Sequence, residues 1–275
     1  MNITSQRWCA YGGFAFMGLF LAGLLVAGFM PPSPAPGGSA HEMAEFFRDN
    51  ALRIRFGLSI CCVGTVFLAQ WAVAISVQLA RIEGRRFTPL AWTQMIIGGL
   101  FVLEFLLPFL ILQAAAYRPD RSDEAIQSLI DTGWIMFGTG VGPVVLQGVI
   151  IGVVILRDKR PNPIFPRWAG YFSIWAVLIT ATGGLIPFFK TGPFTWQGLL
   201  AWWMPLPIFG SWMVVVTLMV LRAIKRQEAE GDLLESDPAI LADRLDESAQ
   251  EIEQLRRAVA QLSADSIRPS AAETA

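Results

Sequence analysis

Apolar residues crowd into six stretches, and polar residues gather in the short segments between them. The stretches are 10–30, 56–79, 90–115, 133–156, 168–189 and 198–221. Each is close to the roughly 20 residues, at about 1.5 Å of rise apiece, that cross a hydrocarbon core. They lack the alternation of polar and apolar positions that marks a membrane β-barrel, so they predict helices. The expected fold class is all-α: a polytopic transmembrane bundle of six spans over residues 1–225, then a soluble tail, 226–275. The segment after the first span begins rich in Pro and Gly and turns amphipathic through Met43, Phe46 and Phe47. In the tail, Leu241, Leu245, Ser248, Ile252, Leu255, Val259 and Leu262 alternate at spacings of four and three. That a/d seam predicts an amphipathic or coiled-coil helix over about 238–264.

Composition agrees with the spans. At 54% hydrophobic and 16% charged residues, the chain lies outside the usual soluble range. Charge placement predicts the orientation. With the N-terminus inside, the inner segments hold eleven Lys and Arg and the outer loops six. The positive-inside bias therefore predicts a bacterial inner (cytoplasmic) membrane protein, multi-pass, with both termini cytoplasmic. Arg7 ahead of the first apolar run, with Gly38 and Ala40 beyond it, also fits a cleaved signal peptide. The run is long and Ala40 lies ten residues past its end, so the first span is kept as a span.

Glu104 is the one acid well inside a predicted span. It lies about nine residues, or roughly 13 Å, from the outer end of its helix. An ionisable group at that depth costs several kcal/mol unless it is paired, hydrated or protonated, and so marks a candidate site. Arg53 and Arg55, at the outer mouth of the second span, are the candidate structural partners. Pro108 follows Glu104 by four residues and removes the N–H that would bond its carbonyl. Pro143, Pro187, Pro205 and Pro207 repeat the pattern, freeing the carbonyls of Thr139, Gly183, Ala201 and Trp203. Freed backbone at membrane depth is tolerated only against protein or a wet cavity. The expectation is an outward-facing ligand pocket formed by Glu104, Pro108, Thr139, Pro143, Gln147, Gly183, Trp203 and Pro205. Five unrelated kinks are the competing reading. An aromatic box for a cation around Trp202, Trp203 and Phe209 is a lesser alternative. Small-residue spacings at Gly138, Gly140, Gly142, Gly148 and Gly152 predict close helix packing by span four.

Other chemistry is thin. Cys9, Cys61 and Cys62 lie in or beside the membrane and read as apolar thiols, without metal spacing. His41 is the single histidine, which excludes multi-histidine metal sites and leaves a His-based triad little room. No catalytic constellation, cofactor motif or metal site is expected, and nucleic-acid binding is not supported.

The motifs RIEGRR, AAAYRPDRSDE, DTGW, PIFPRWAGY and FFKTGPFTWQG resemble those of an uncharacterised family of bacterial six-span integral membrane proteins. The resemblance covers roughly residues 8–225 and implies no activity. Two functions remain in view. In the first, the bundle binds or moves a small lipophilic molecule through the pocket. In the second, it is a non-catalytic scaffold or accessory subunit whose C-terminal helix recruits a partner. The lipid bilayer is the one expected surrounding, with a homo-oligomer or protein partner through the tail.

Overall fold

The computed structural model describes residues 2–84, 88–236, 246, 249–250, 252–257 and 259. The described residues divide between two compact units, 1–224 and 225–275. Among the described residues every regular element is a helix, and six helical stretches are long and apolar enough to cross a membrane.

The first span is the single helix α1 (Ile3–Ala27), capped at its start by Asn2, whose side chain accepts the Ser5 N–H at 3.0 Å. It stops at Gly28, where φ is 79°, a left-handed turn that glycine adopts without strain. A short amphipathic helix follows, α2 (Ala40–Asp49), started by a reciprocal Ser39–Glu42 capping box. It buries Met43, Ala44 and Phe47. The second span is two helices, α3 (Ala51–Thr65) and α4 (Phe67–Glu83). The third is α5 (Pro89–Ala115), whose first turn is held by the Glu83 carboxylate accepting the N–H groups of Leu90 and Ala91.

The fourth span is broken into α6 (Asp123–Thr139) and α7 (Gly142–Arg157). The fifth begins as α8 (Arg167–Thr180) and tightens into a 3₁₀ stretch, Ala181–Phe188. The sixth opens with a wide turn at Leu199–Trp203, where Met204 bonds back to Leu199, and continues as α9 (Pro205–Ser236). Asp158 closes the turn between α7 and α8 by accepting the N–H groups of Arg160 and Ile164 and pairing with the Arg160 guanidinium. Burial opposes its charge, but those donors outweigh it and hold the carboxyl below its ordinary range.

α1 packs on α3 and α4, α5 on α4, α6 and α7, and α7 on α8. At one end of the bundle α2 lies on α6, and Arg48 donates to the carbonyls of Pro119 and Arg121. Trp196 reaches the Pro34 carbonyl at the same end. At the other end a side-chain chain links Gln6, Gln78 and Arg81 to the Ala223 carbonyl. Interiors are close: Gly148 backs onto Val177, and Gly152 onto Ile174 and the Gly170 carbonyl.

The outward faces of the spans carry Leu25, Phe56, Val63, Leu100, Leu107 and Leu178, all exposed. A face this apolar and continuous exceeds what a soluble monomer shows to water. The chain is a multi-pass integral membrane protein, and this face is the one that lipid covers. In the tail unit, Arg226 pairs with Glu230 and Arg257 with Glu253, one helical turn apart. Of the predicted seam, Ile252, Leu255 and Val259 are exposed helical residues, while Leu241, Leu245 and Leu262 lie outside the described residues.

Candidate functional site: an acid among aromatic rings

Six aromatic side chains converge in the half of the bundle nearer α2. Phe105 on α5 stands at their centre. Its ring centroid lies 5.2 Å from Phe101, 5.4 Å from Phe20, 5.6 Å from Phe137 and 6.2 Å from Phe209. Trp202 joins the group through Phe137 at 6.3 Å. Most contacts are edge-to-face or tilted, the arrangements the ring quadrupoles favour. The six rings wall a cavity of about 80 Å³. Glu104, between Phe101 and Phe105 in sequence, is its one acidic lining residue. Gly138, Gly183, Ala201 and Pro205 complete much of the wall.

Glycine makes the room. A Cβ on Gly140, in the break of span four, would stand 2.9 Å from the Glu104 Cγ. A Cβ on Gly183 would stand 2.7 Å from the Gly138 carbonyl oxygen. Regular helix gives way on three walls at this level: the α6–α7 break, the 3₁₀ stretch and the wide turn before α9. Thr182 donates its hydroxyl to the Leu200 carbonyl and ties the last two together.

The Glu104 Oε2 is buried and makes no hydrogen bond. No Lys or Arg lines the cavity. The candidate structural partners, Arg53 and Arg55, make their contacts elsewhere. Arg53 donates to the Val26 carbonyl at 3.0 Å and lies against Gly28. Arg55 sits over the Tyr117 ring at 5.9 Å. Trp202 carries a second orphan, a buried indole N–H without an acceptor.

Of the eight residues expected to form the pocket, Glu104, Gly183 and Pro205 line this cavity, and five do not. Pro108 is buried in an unbroken α5, with its carbonyl toward Gly133. Thr139 turns its hydroxyl back to the Ile135 carbonyl. Pro143 sits in the first turn of α7, where a missing N–H costs nothing. Pro205 and Pro207 likewise fall in the first turn of α9. Those prolines mark new helix starts, not kinks within helices. Gln147 is fully buried near Gly98, with both amide atoms unpartnered, in the region where Ser76 donates to Gln94. Trp203 points to a separate apolar groove with Phe16, Met17, Leu21 and Pro207. That groove and the cavity share Phe20, Leu206 and Phe209 as a common wall.

Phe101 and Phe105 could have been read from the sequence. Phe101 stands three before Glu104 and four before Phe105, spacings that bring both within reach of it on one helix. Phe20, Phe137, Val141, Val144 and Thr180 gave no such signal, because they reach the cavity from spans other than that of Glu104.

No family model matches the chain, and neither a curated protein nor a solved structure matches it.

Proposed function

We propose that the bundle binds, and moves, a small lipophilic molecule through the cavity at Glu104. The observation that carries this reading is the buried, unpartnered Glu104 oxygen in a cavity otherwise walled by aromatic rings. An acid at this depth is a standing cost to a fold, and a ligand that satisfies it gives a reason for its presence. The apolar groove on the far side of Phe20, Leu206 and Phe209 supports lipophilicity, since Leu21 and Trp203 in its lining are exposed. On the charge-derived orientation, the protein lies in a bacterial cytoplasmic membrane with both termini inside and the α2 end outside. The cavity then lies in the outer half. The six-span family resembled by its motifs is in keeping with that placement.

The test is a screen of small amphiphiles for saturable rises in the melting temperature of the purified protein in detergent. Hits should disappear in Ala201→Phe, which fills the cavity, and in Glu104→Gln, which keeps shape and removes charge. They should survive Trp203→Ala, outside the cavity. Hits that persist in Ala201→Phe would place binding elsewhere and end this reading.

A rival reading, an accessory subunit that recruits a partner, draws on the exposed Ile252, Leu255 and Val259 of the tail. Loss of a co-purifying partner on Ile252→Asp, with the amphiphile screen blank, would favour it.

A further inference from the structure

We infer that the ligand of this cavity presents a small organic cation, an alkylated ammonium head, to Glu104. The inference rests on the reading that the cavity is a ligand site.

The charge argument comes first. A carboxylate in an apolar surround needs a positive partner, because neither lipid nor ring edges stabilise the anion as water does. Among the described residues the protein supplies no such partner: no cation lines the cavity, and Arg53 and Arg55 are held at Val26 and Tyr117. What neutralises Glu104 must therefore be a proton or a bound cation. A neutral apolar ligand would leave the Oε2 as it found it, buried and unbonded.

The rings decide the kind of cation. Phe20, Phe101, Phe105, Phe137, Trp202 and Phe209 dominate the lining, and its one side-chain hydroxyl, on Thr180, donates to the Ala176 carbonyl, so no set of side-chain hydroxyls replaces the hydration shell of a metal ion. Their faces attract a diffuse, weakly hydrated charge, and quaternary ammonium groups are recognised in this way. Size adds a limit. A volume of about 80 Å³ is far below the roughly 300–1,000 Å³ of sites for drug-sized ligands, so a compact head fits and a large one does not. The unpartnered Trp202 N–H adds a donor that a hydroxyl on the ligand would accept.

Choline and 3,3-dimethylbutan-1-ol form a matched pair of probes. They share shape and hydroxyl and differ only in the charge of the head. Binding is followed by tryptophan fluorescence and calorimetry on the purified full chain in detergent. Choline should bind saturably and at least tenfold more tightly than the alcohol. Glu104→Gln should bring choline down to the level that the alcohol shows on the wild-type chain. Trp202→Leu should weaken choline severalfold. If the alcohol binds as well as choline, the ligand is neutral: the cation inference fails and the pocket reading stands. Choline affinity unchanged in Glu104→Gln sinks the inference in the same way. If neither probe binds the folded protein, both the inference and the pocket reading for compact ligands fall. The comparison between probes needs only the wild-type chain, so a variant that fails to fold does not leave the matter open.

Discussion

Gly57 sits where α1 and α3 cross backbone to backbone. A Cβ there would lie 2.4 Å from the Ala27 nitrogen and 2.5 Å from the Gly23 carbonyl oxygen. Neither atom can turn aside, since both belong to the main chain of α1. Small residues at such crossings supply the close contact that membrane helices use in place of a hydrophobic drive. Gly57→Leu should destabilise the bundle by about 1–3 kcal/mol or more, the usual cost of overpacking. Gly18, also in α1, has nothing within 4 Å of its would-be Cβ. Gly18→Ala should therefore leave stability unchanged or slightly raised. Thermal melts of the two variants in one detergent check the contrast. The two sites look alike in the sequence, because spacing along one helix does not say which neighbour lies opposite. Glu104 was legible for the opposite reason: a lone acid in an apolar span is a local anomaly, readable without its neighbours.

Two elements far apart in sequence, α2 and α6, are joined by charge. Asp123 receives Arg48 at 2.7 Å and His41 at 3.0 Å. The Asp123 hydrogen bond and charge raise the His41 pKa above 6.5, aided by Glu45. The raised value in the folded state means that protonation favours folding. This contribution is fully present below about pH 6.5, the unfolded value, and is lost as pH rises through the folded one. The melting temperature of wild type should exceed that of His41→Gln at about pH 5, and the two should converge at about pH 9. A difference independent of pH would show that the ring acts by packing alone. The amphipathic pattern of α2 was legible in Met43 and Phe47, but its seat on α6 was not. Element breaks were also partly hidden. The prolines of spans four and six signalled irregular backbone, yet whether each kinks a helix or starts one depends on residues such as Gly140 and Val141 that leave the helix beside it.

At the scale of the molecule, six apolar runs were enough to read six helical spans, since hydrocarbon permits so few alternatives. Orientation is the part that remains a matter of charge counting. A reporter fused after Ala275 should be active in the cytoplasm, and one inserted at Ala40 should be active outside. Activity of the Ala275 fusion outside would invert the bundle and turn the cavity toward the cytoplasm. The cavity itself was not legible at this scale. Its walls come from spans one, three, four, five and six, and only the packed bundle brings Phe20, Glu104, Phe137, Gly183 and Phe209 to one place.

The interruptions of spans four, five and six all fall on the wall of that cavity, while α1 and α5 cross it as unbroken rods. Stiffness is thus distributed unevenly around the site. A rod transmits a push along its whole length, but a segment between two helix ends absorbs it in a few torsion angles. The compliant side of the chamber is the side on which passage would widen it. The α1–α3 seam, fixed glycine to glycine, need not loosen for that to happen.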